Sequence, residues 1–359
     1  MTEPRATLRL PTTDLTADIG FFTRGLGMRL IAIWPADDPA VADLQGHGLR
    51  LRLDRHAPGS PGTVILQAPD PEAWPARLMT SPGGTRVEVE DLHPPVTIPA
   101  TQHEFAVRRL ADGAPWVVGR AGMLYRDLVP SRLGGAMIAS HIRIPDGGPV
   151  PDMVHYHRVG FQLIFCLNGW VDVVYEDQGP PIRLTPGDCF IQPPEIRHRV
   201  LQASDGIEVI EIGVPAEHVT QIDHDMTLPT PHLRPDREWQ GQRFVHNVAA
   251  GAAWAPHRLP GFVARDTTIA ANTHDVAGVL VLRPDGGPTG PARHSGDILF
   301  TYVIRGGLDL TARGQAPVRL AAGDAFVTPP GLATHLHGAT PDLELLEVAL
   351  PARVPTELL

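Results

Sequence analysis

From residue 104 onward the apolar positions come in short runs broken by glycine, proline and aspartate. Phe161 to Leu167 reads F-Q-L-I-F-C-L and Val171 to Tyr175 reads V-D-V-V-Y. Turn signals follow at D-Q-G-P-P (177–181) and T-P-G-D (185–188). Runs of this length with those boundaries predict strands and tight turns, the makings of an all-β barrel or jelly roll. The first ninety residues read differently. Residues 6–11 alternate like a strand. Asp14 then stands at the N-cap of a stretch in which Leu15, Ile19, Phe22 and Leu26 lie three to four apart. That spacing predicts a helix with one apolar face, stopped by Gly25 and Gly27. Strands are expected at 28–33, 41–45, 48–54 and 63–68; the first strand, the helix and the next three strands give a β-α-β-β-β order.

The barrel pattern occurs twice. Phe105 and Phe244, Arg126-Asp127 and Arg265-Asp266, and P-D-G-G-P at 145–149 and 284–288 each lie 139 residues apart. Gly169 and Gly306 are 137 apart, Pro193 and Pro329 are 136 apart, and so are E-V-I-E (208–211) and E-L-L-E (344–347). A falling offset is what small deletions between otherwise matched blocks produce, so two tandem barrels are expected. The domain reading is 1–92 for the small module, 93–103 for a Pro-rich linker, 104–228 for the first barrel and 229–359 for the second.

Composition narrows the chemistry. The chain of 359 residues has 36 glycines and 38 prolines but only 19% charged residues, which favours strands and turns over long helices. A net charge of −10 argues against nucleic acid or an anionic membrane as main partners. All 30 basic residues are arginine. Schiff-base catalysis and a Walker A phosphate loop both need a lysine amine and are excluded. Cys166 and Cys189 are too few for a disulfide framework and lie in apolar runs, as buried thiols do. No apolar signal core opens the chain and no run approaches a membrane span, so a cytoplasmic protein is expected.

Candidate chemistry gathers in residues 148–202. His155 and His157 are two apart, so on a strand both imidazoles point to one side. His198 arrives from a later strand. Three converging imidazoles suit a divalent transition metal with open coordination positions; Fe(II), Mn, Ni, Cu and Zn all fit. His155-Tyr156-His157, Gln162 and Gly169, followed by Gly187, Pro193 and His198, resemble the two motifs of the cupin superfamily. Three positions depart from that pattern: Gln162 stands at the usual Glu ligand, Glu195 at the second-motif Gly, and Gln202 at the Asn. The resemblance implies a mainly β bicupin, two tandem cupin (jelly-roll) barrels, with one metal held by His155, His157 and His198. Gln162 would coordinate through its carbonyl oxygen, or would orient a bound water or substrate. In the second barrel Ala292, His294, Leu299 and Thr334 align with His155, His157, Gln162 and His198, which implies a structural partner without metal. His335 and His337 are one residue out of register. Residues 5–92, with D-L-T-A-D-I-G-F-F-T-R-G-L-G-M-R-L and G-H-G-L-R-L-R-L, resemble one glyoxalase/vicinal-oxygen-chelate module. That module is read as degenerate. Its candidate ligands are weak: His47 reads as a solvated turn residue, and Glu88 and Glu90 as surface charge.

By alternation, Ile164, Cys166, Gln192 and Gln202 are expected to line the first cavity beside Gln162. His141, Tyr156, Tyr175, Glu195 and Arg197 are candidates at its rim. Arg158 and Arg197 should point outward. The leading functional expectation is a non-haem Fe(II) dioxygenase acting on a small oxygenated aromatic or diketone-like substrate. It follows from a resemblance to bicupins with a three-histidine iron site, such as gentisate-type ring-cleaving dioxygenases. The alternatives are a redox-neutral isomerase or lyase, in which the metal acts as a Lewis acid, and a non-catalytic small-molecule-binding module. Paired modules in the glyoxalase-like group imply a homodimer.

Overall fold

The structure is a computed structural model that describes residues 4–359. It divides into two units, Met1–Pro95 and Val96–Leu359. No helix among the described residues is long and apolar enough to cross a membrane.

In the first unit the Asp14 side chain accepts a hydrogen bond from the Ala17 backbone N–H, capping the helix Leu15–Gly20 as its spacing predicts. The helix then widens into a π turn over Phe21–Gly25 and ends at Gly27, whose φ of 70° suits a residue without a Cβ. Four strands form one sheet in the order Leu8–Pro11, Leu49–Asp54, Val41–Gly46, Arg29–Trp34, with the first two parallel. Thr63–Ala68 does not join them. It lies parallel to Arg86–Asp91 in a separate three-stranded sheet completed by Leu78–Thr80. The expected β-α-β-β-β order therefore closes at residue 54, and the run at 63–68 opens a second, shorter strand set. Alternation marks a strand but does not say which sheet it joins.

The second unit is mainly β and holds two jelly rolls, each made of a seven-stranded sheet and a smaller one. In the first, Phe161–Asn168 runs antiparallel to both Cys189–Ile191 and Ile207–Val214. In the second, Ile298–Arg305 runs antiparallel to Ala325–Val327 and Glu344–Leu350 in the same way. The repeat seen in the sequence is thus a repeat of register. Phe161 pairs with Val214 where Ile298 pairs with Leu350, and His155 pairs with His198 where Ala292 pairs with Thr334.

The two jelly rolls are joined by exchange. Ala106–Arg108, which leads into the first, pairs with Ala325–Val327 of the second. Val245–Asn247, which leads into the second, pairs with Cys189–Ile191 of the first. The buried guanidinium of Arg126 donates to the Gly323 carbonyl at 2.7 Å, and that of Arg265 donates to the Gly187 carbonyl at 2.7 Å. These are the same contact made in both directions. Between them lies one continuous core in which Leu163, Ile191 and Ile210 share a cluster with Phe300, Leu346 and Val348. Each such side chain contributes roughly 1.5–3 kcal/mol by leaving water.

His141 sits at this junction. Its Nε2 lies 2.7 Å from Glu208, and Arg126 reaches its Nδ1 at 3.2 Å. A neutral ring that donates from Nε2 and accepts at Nδ1 satisfies both contacts. Burial drives this imidazole down to about 4, against the upward pull of Glu208. The unfolded chain therefore takes up the proton first, near 6.5, and stability falls as the pH drops from there toward 4. His141→Gln, which cannot gain that proton, should lose stability less steeply over this range. Urea midpoints at pH 7, 5.5 and 4 measure it, and parallel curves for the two proteins would refute the assignment.

Candidate metal centre

The strand His155–His157 is hydrogen-bonded on one side to His198–Ala203 and on the other to Thr220–Ile222. Alternation sends His155 and His157 inward and Tyr156 outward, where its hydroxyl meets Gln221. The register places His198 directly opposite His155. The ligating atoms of His155, His157 and His198 all lie within 4.8 Å of one another, and all three side chains are buried.

Each ring is pinned from behind. His155 Nδ1 lies 2.8 Å from the Met153 carbonyl, His198 Nδ1 lies 3.0 Å from the Ile196 carbonyl, and His157 Nδ1 lies 2.8 Å from the Thr220 hydroxyl. A carbonyl can only accept, so His155 and His198 carry their proton on Nδ1 and present a bare Nε2. The Tyr175 ring stacks on His198 at 5.5 Å, and its hydroxyl accepts from Gln192 at 3.0 Å. Burial pushes His157 and His198 well below the usual imidazole range and lowers His155 as well. The rings are neutral at pH 7, as metal binding requires.

The fit to a metal rests on two atoms. His155 Nε2 and Gln162 Oε1 are buried and have no hydrogen-bond partner. Buried polar atoms are almost always paired, and a divalent cation would take up both lone pairs. Gln162 is turned so that its Nε2 donates to Glu211 at 2.5 Å. The structure therefore brings His155, His157 and His198 together and places Gln162 one hydrogen bond from a carboxylate.

The three histidines open onto a cavity of about 90 Å³. Its wall is mostly aliphatic, with Ile164, Val173 and Val209 among its residues, and its polar groups include Arg120, Gln192 and Glu211. Ile164 and Gln192 line it as alternation predicts. Gln162 and Cys166 are fully buried and are not among the residues that line it. Gln202 faces away and donates to Asp172, because the pairing register slips by one residue between Asp172 and Val173. None of the candidate rim residues His141, Tyr156, Tyr175, Glu195 and Arg197 lines the cavity. Arg197 stacks over Tyr156 and bonds Asp223.

Sequence reasoning missed four contributors. Glu211 carried a signal, since E-V-I-E recurs as E-L-L-E, but its inward face was not read from it. Arg120 lines the cavity and donates to Asp152 at 2.6 Å, and Asp152 in turn accepts from the Val200 backbone N–H at 3.0 Å. Thr220 and His218 come from the stretch taken for a bridge between barrels. The His218 ring meets His157 edge-on at 5.5 Å.

In the second jelly roll Ala292 and Thr334 pair where His155 and His198 do. His294 Nε2 is bonded to Thr328. Thr334 and Leu336 line a smaller cavity there, whereas His335 and His337 alternate to the other side of the strand. In the first unit His47 is not simply solvated, because its Nε2 bonds the Leu26 carbonyl at 2.7 Å. Glu88 pairs with Arg86.

Residues 140–212 and 278–349 each match the cupin domain. The two matches fall one on each jelly roll, in tandem. Salicylate 1,2-dioxygenase from Pseudaminobacter salicylatoxidans has a similar fold, with a TM-score of 0.52 at 18% identity over 73% of this chain and 90% of that one. Oxalate decarboxylase from Lactobacillus farciminis gives 0.53 at 14% identity over 74% and 92%. Oxalate decarboxylase from Bacillus subtilis, a protein with Mn(II) centres, gives 0.52 at 14% over 75% and 82%. No curated protein matches the sequence.

Thr220→Val keeps the side-chain volume and removes the hydroxyl behind His157. Loss of such an outer partner weakens metal binding by about 10- to 100-fold. Titration of the folded protein with Mn(II) measures this, and an unchanged affinity would show that Thr220 does not orient the ring.

Proposed function

We propose that the first jelly roll holds one divalent transition metal through His155, His157 and His198, with Gln162 Oε1 as a fourth donor. On this reading the chain is a metal-dependent bicupin enzyme. Within that class we favour a non-haem Fe(II) dioxygenase acting on a small oxygenated aromatic or diketone-like molecule. The observation that carries the reading is the convergence of three buried imidazoles, pinned at Nδ1, on the wall of an apolar cavity.

A redox-active metal bound there supplies Lewis acidity and the electron density that dioxygen needs. The chain's own residues do the rest. Ile164, Val173 and Val209 exclude water from the cavity, which strengthens every electrostatic contact inside it. Gln192 is held by Tyr175 with its amide at the cavity wall, placed to orient a polar substrate group. Gln162 is held by Glu211 so that its carbonyl oxygen stays free.

Redox-neutral lyase or isomerase chemistry is the second reading. It is supported by the oxalate decarboxylases, which share the fold as fully as the dioxygenase does. Assay of the Fe(II)-loaded protein with catechols, hydroxybenzoates and diketones separates the two. Turnover should stop when dioxygen is removed; turnover that continues under nitrogen, or with Zn in place of Fe, selects the second reading. His155→Ala should lose both bound metal and turnover. A protein purified free of metal and indifferent to added metal would instead be a binding module.

The first unit supports a homodimer within the glyoxalase-like reading. Its edge strand Arg29–Trp34 exposes Leu30, Ile31, Ile33 and Trp34, and an apolar edge strand is a template for pairing with another chain. Light scattering should report a dimer; a monomer at micromolar concentration would remove this part of the proposal.

A further inference from the structure

The second jelly roll serves as an internal control for the first. Arg120 and Arg258 are counterparts. Each lies four residues after a tryptophan, Trp116 or Trp254, and follows a short strand, Val117–Val118 or Ala255–Pro256, that pairs at the same place in its sheet. Glu211 and Glu347 are counterparts by register, opposite Ile164 and Thr301. In the second jelly roll the two meet. Arg258 grips Glu347 with both terminal nitrogens, at 2.6 and 2.8 Å, and the His257 ring stands 3.4 Å away. That carboxylate is fully compensated, and although burial pushes it up, Arg258 and His257 together hold it down at about 2.

In the first jelly roll the same pair is separated. Arg120 is bonded to Asp152. Asp152 has no counterpart, because the second repeat is two residues shorter between P-D-G-G-P and the strand Ala292–His294. Glu211 makes no ion pair with a protein cation among the described residues. Its donor is the neutral amide of Gln162. A carboxylate at a mostly apolar cavity without an ion-pair partner is costly. On the same cavity wall stand the three imidazoles, of which His155 and His198 present a bare Nε2.

We propose that Glu211 is the charge-balancing carboxylate of the metal centre, lying outside the three-histidine cluster on the strand Ile207–Val214 and acting through Gln162, whose amide it holds, and that the bound cation supplies the counter-charge which Arg258 supplies in the second jelly roll. The carboxylate that position 162 lacks stands on the neighbouring strand. The centre keeps one negative charge although residue 162 is neutral. This rests on the metal reading above.

The test is metal affinity, read by Mn(II) titration and by the EPR line shape of the bound ion on the full-length protein. Glu211→Gln should weaken binding by about 10- to 100-fold, the range for removing a supporting partner, and should change the EPR spectrum. The exchange variant Q162E/E211Q keeps the charge, the volumes and the hydrogen bond, and should restore affinity to within about threefold of wild type. Glu347→Gln removes the matching carboxylate of the second jelly roll and should leave affinity unchanged. Wild-type affinity and spectrum in E211Q would overturn the proposal, as would failure of the folded exchange variant to recover binding. If E211Q does not fold, the exchange variant decides the matter alone. If the wild-type protein binds no metal, the metal reading itself fails and this one falls with it.

Discussion

Three buried imidazoles sharing one small space impose the constraint on which the first jelly roll depends. Protonating any of them would place a cation beside two other rings in a cavity with few waters. Burial together with Coulomb repulsion from neighbouring cations holds all three neutral. Neutral rings face one another with lone pairs only where each proton is fixed on the outer nitrogen, which the backbone does for His155 and His198. It does so through the Met153 and Ile196 carbonyls, each two residues before the histidine it fixes. The local chain path therefore sets the chemical character of the site, and the barrel sets only its location.

That local path needs support from distant parts of the chain. Thr220 reaches His157 because Thr220–Ile222 adds itself as an edge strand to His155–His157. The connector that follows is tied down by ion pairs, Asp223 to Arg197 and Arg237 to Glu176 and Asp177. Glu176 and Asp177 follow directly on Tyr175, the ring stacked on His198. A segment between two barrels thus braces the ligands of the first one. Glu176 and Asp177 are buried, and removing the Arg237 partner would leave their charges uncompensated. The effect of these pairs here is to fix geometry more than to add stability.

The fold was legible in the sequence because strand period, turn residues and a repeat are all local signals. The three histidines were legible because two lie on one strand and the third falls in a matching motif. Glu211 was harder. Its neighbours Ile210 and Ile212 point into the core shared by the two jelly rolls, and only the pairing of Ile164 with Glu211 shows that the carboxylate faces the other way. Arg120 was hidden because its partner Asp152 is 32 residues away in an irregular stretch. Gln202 was misjudged because one slipped register between Asp172 and Val173 moves it to the outer face. In each case the missing information was which strand lies beside which, and that depends on tertiary pairing.

The duplication keeps the joint between the two jelly rolls apart from the residues that differ between their cavities. The reciprocal contacts, Arg126 to Gly323 and Arg265 to Gly187, involve no ligand residue of either jelly roll. Nor do the exchanged strands Ala106–Arg108 and Val245–Asn247. The assembly is therefore insulated from changes inside each cavity. Within the second cavity Glu347 is buried, and without a counter-charge it would be in a costly state. Arg258 removes that cost by closing on it from the neighbouring strand edge. In the first cavity Asp152 draws the matching arginine aside and leaves Glu211 open. A two-residue difference in one loop thus separates a cavity whose glutamate is closed by an ion pair from one whose glutamate has only an amide partner.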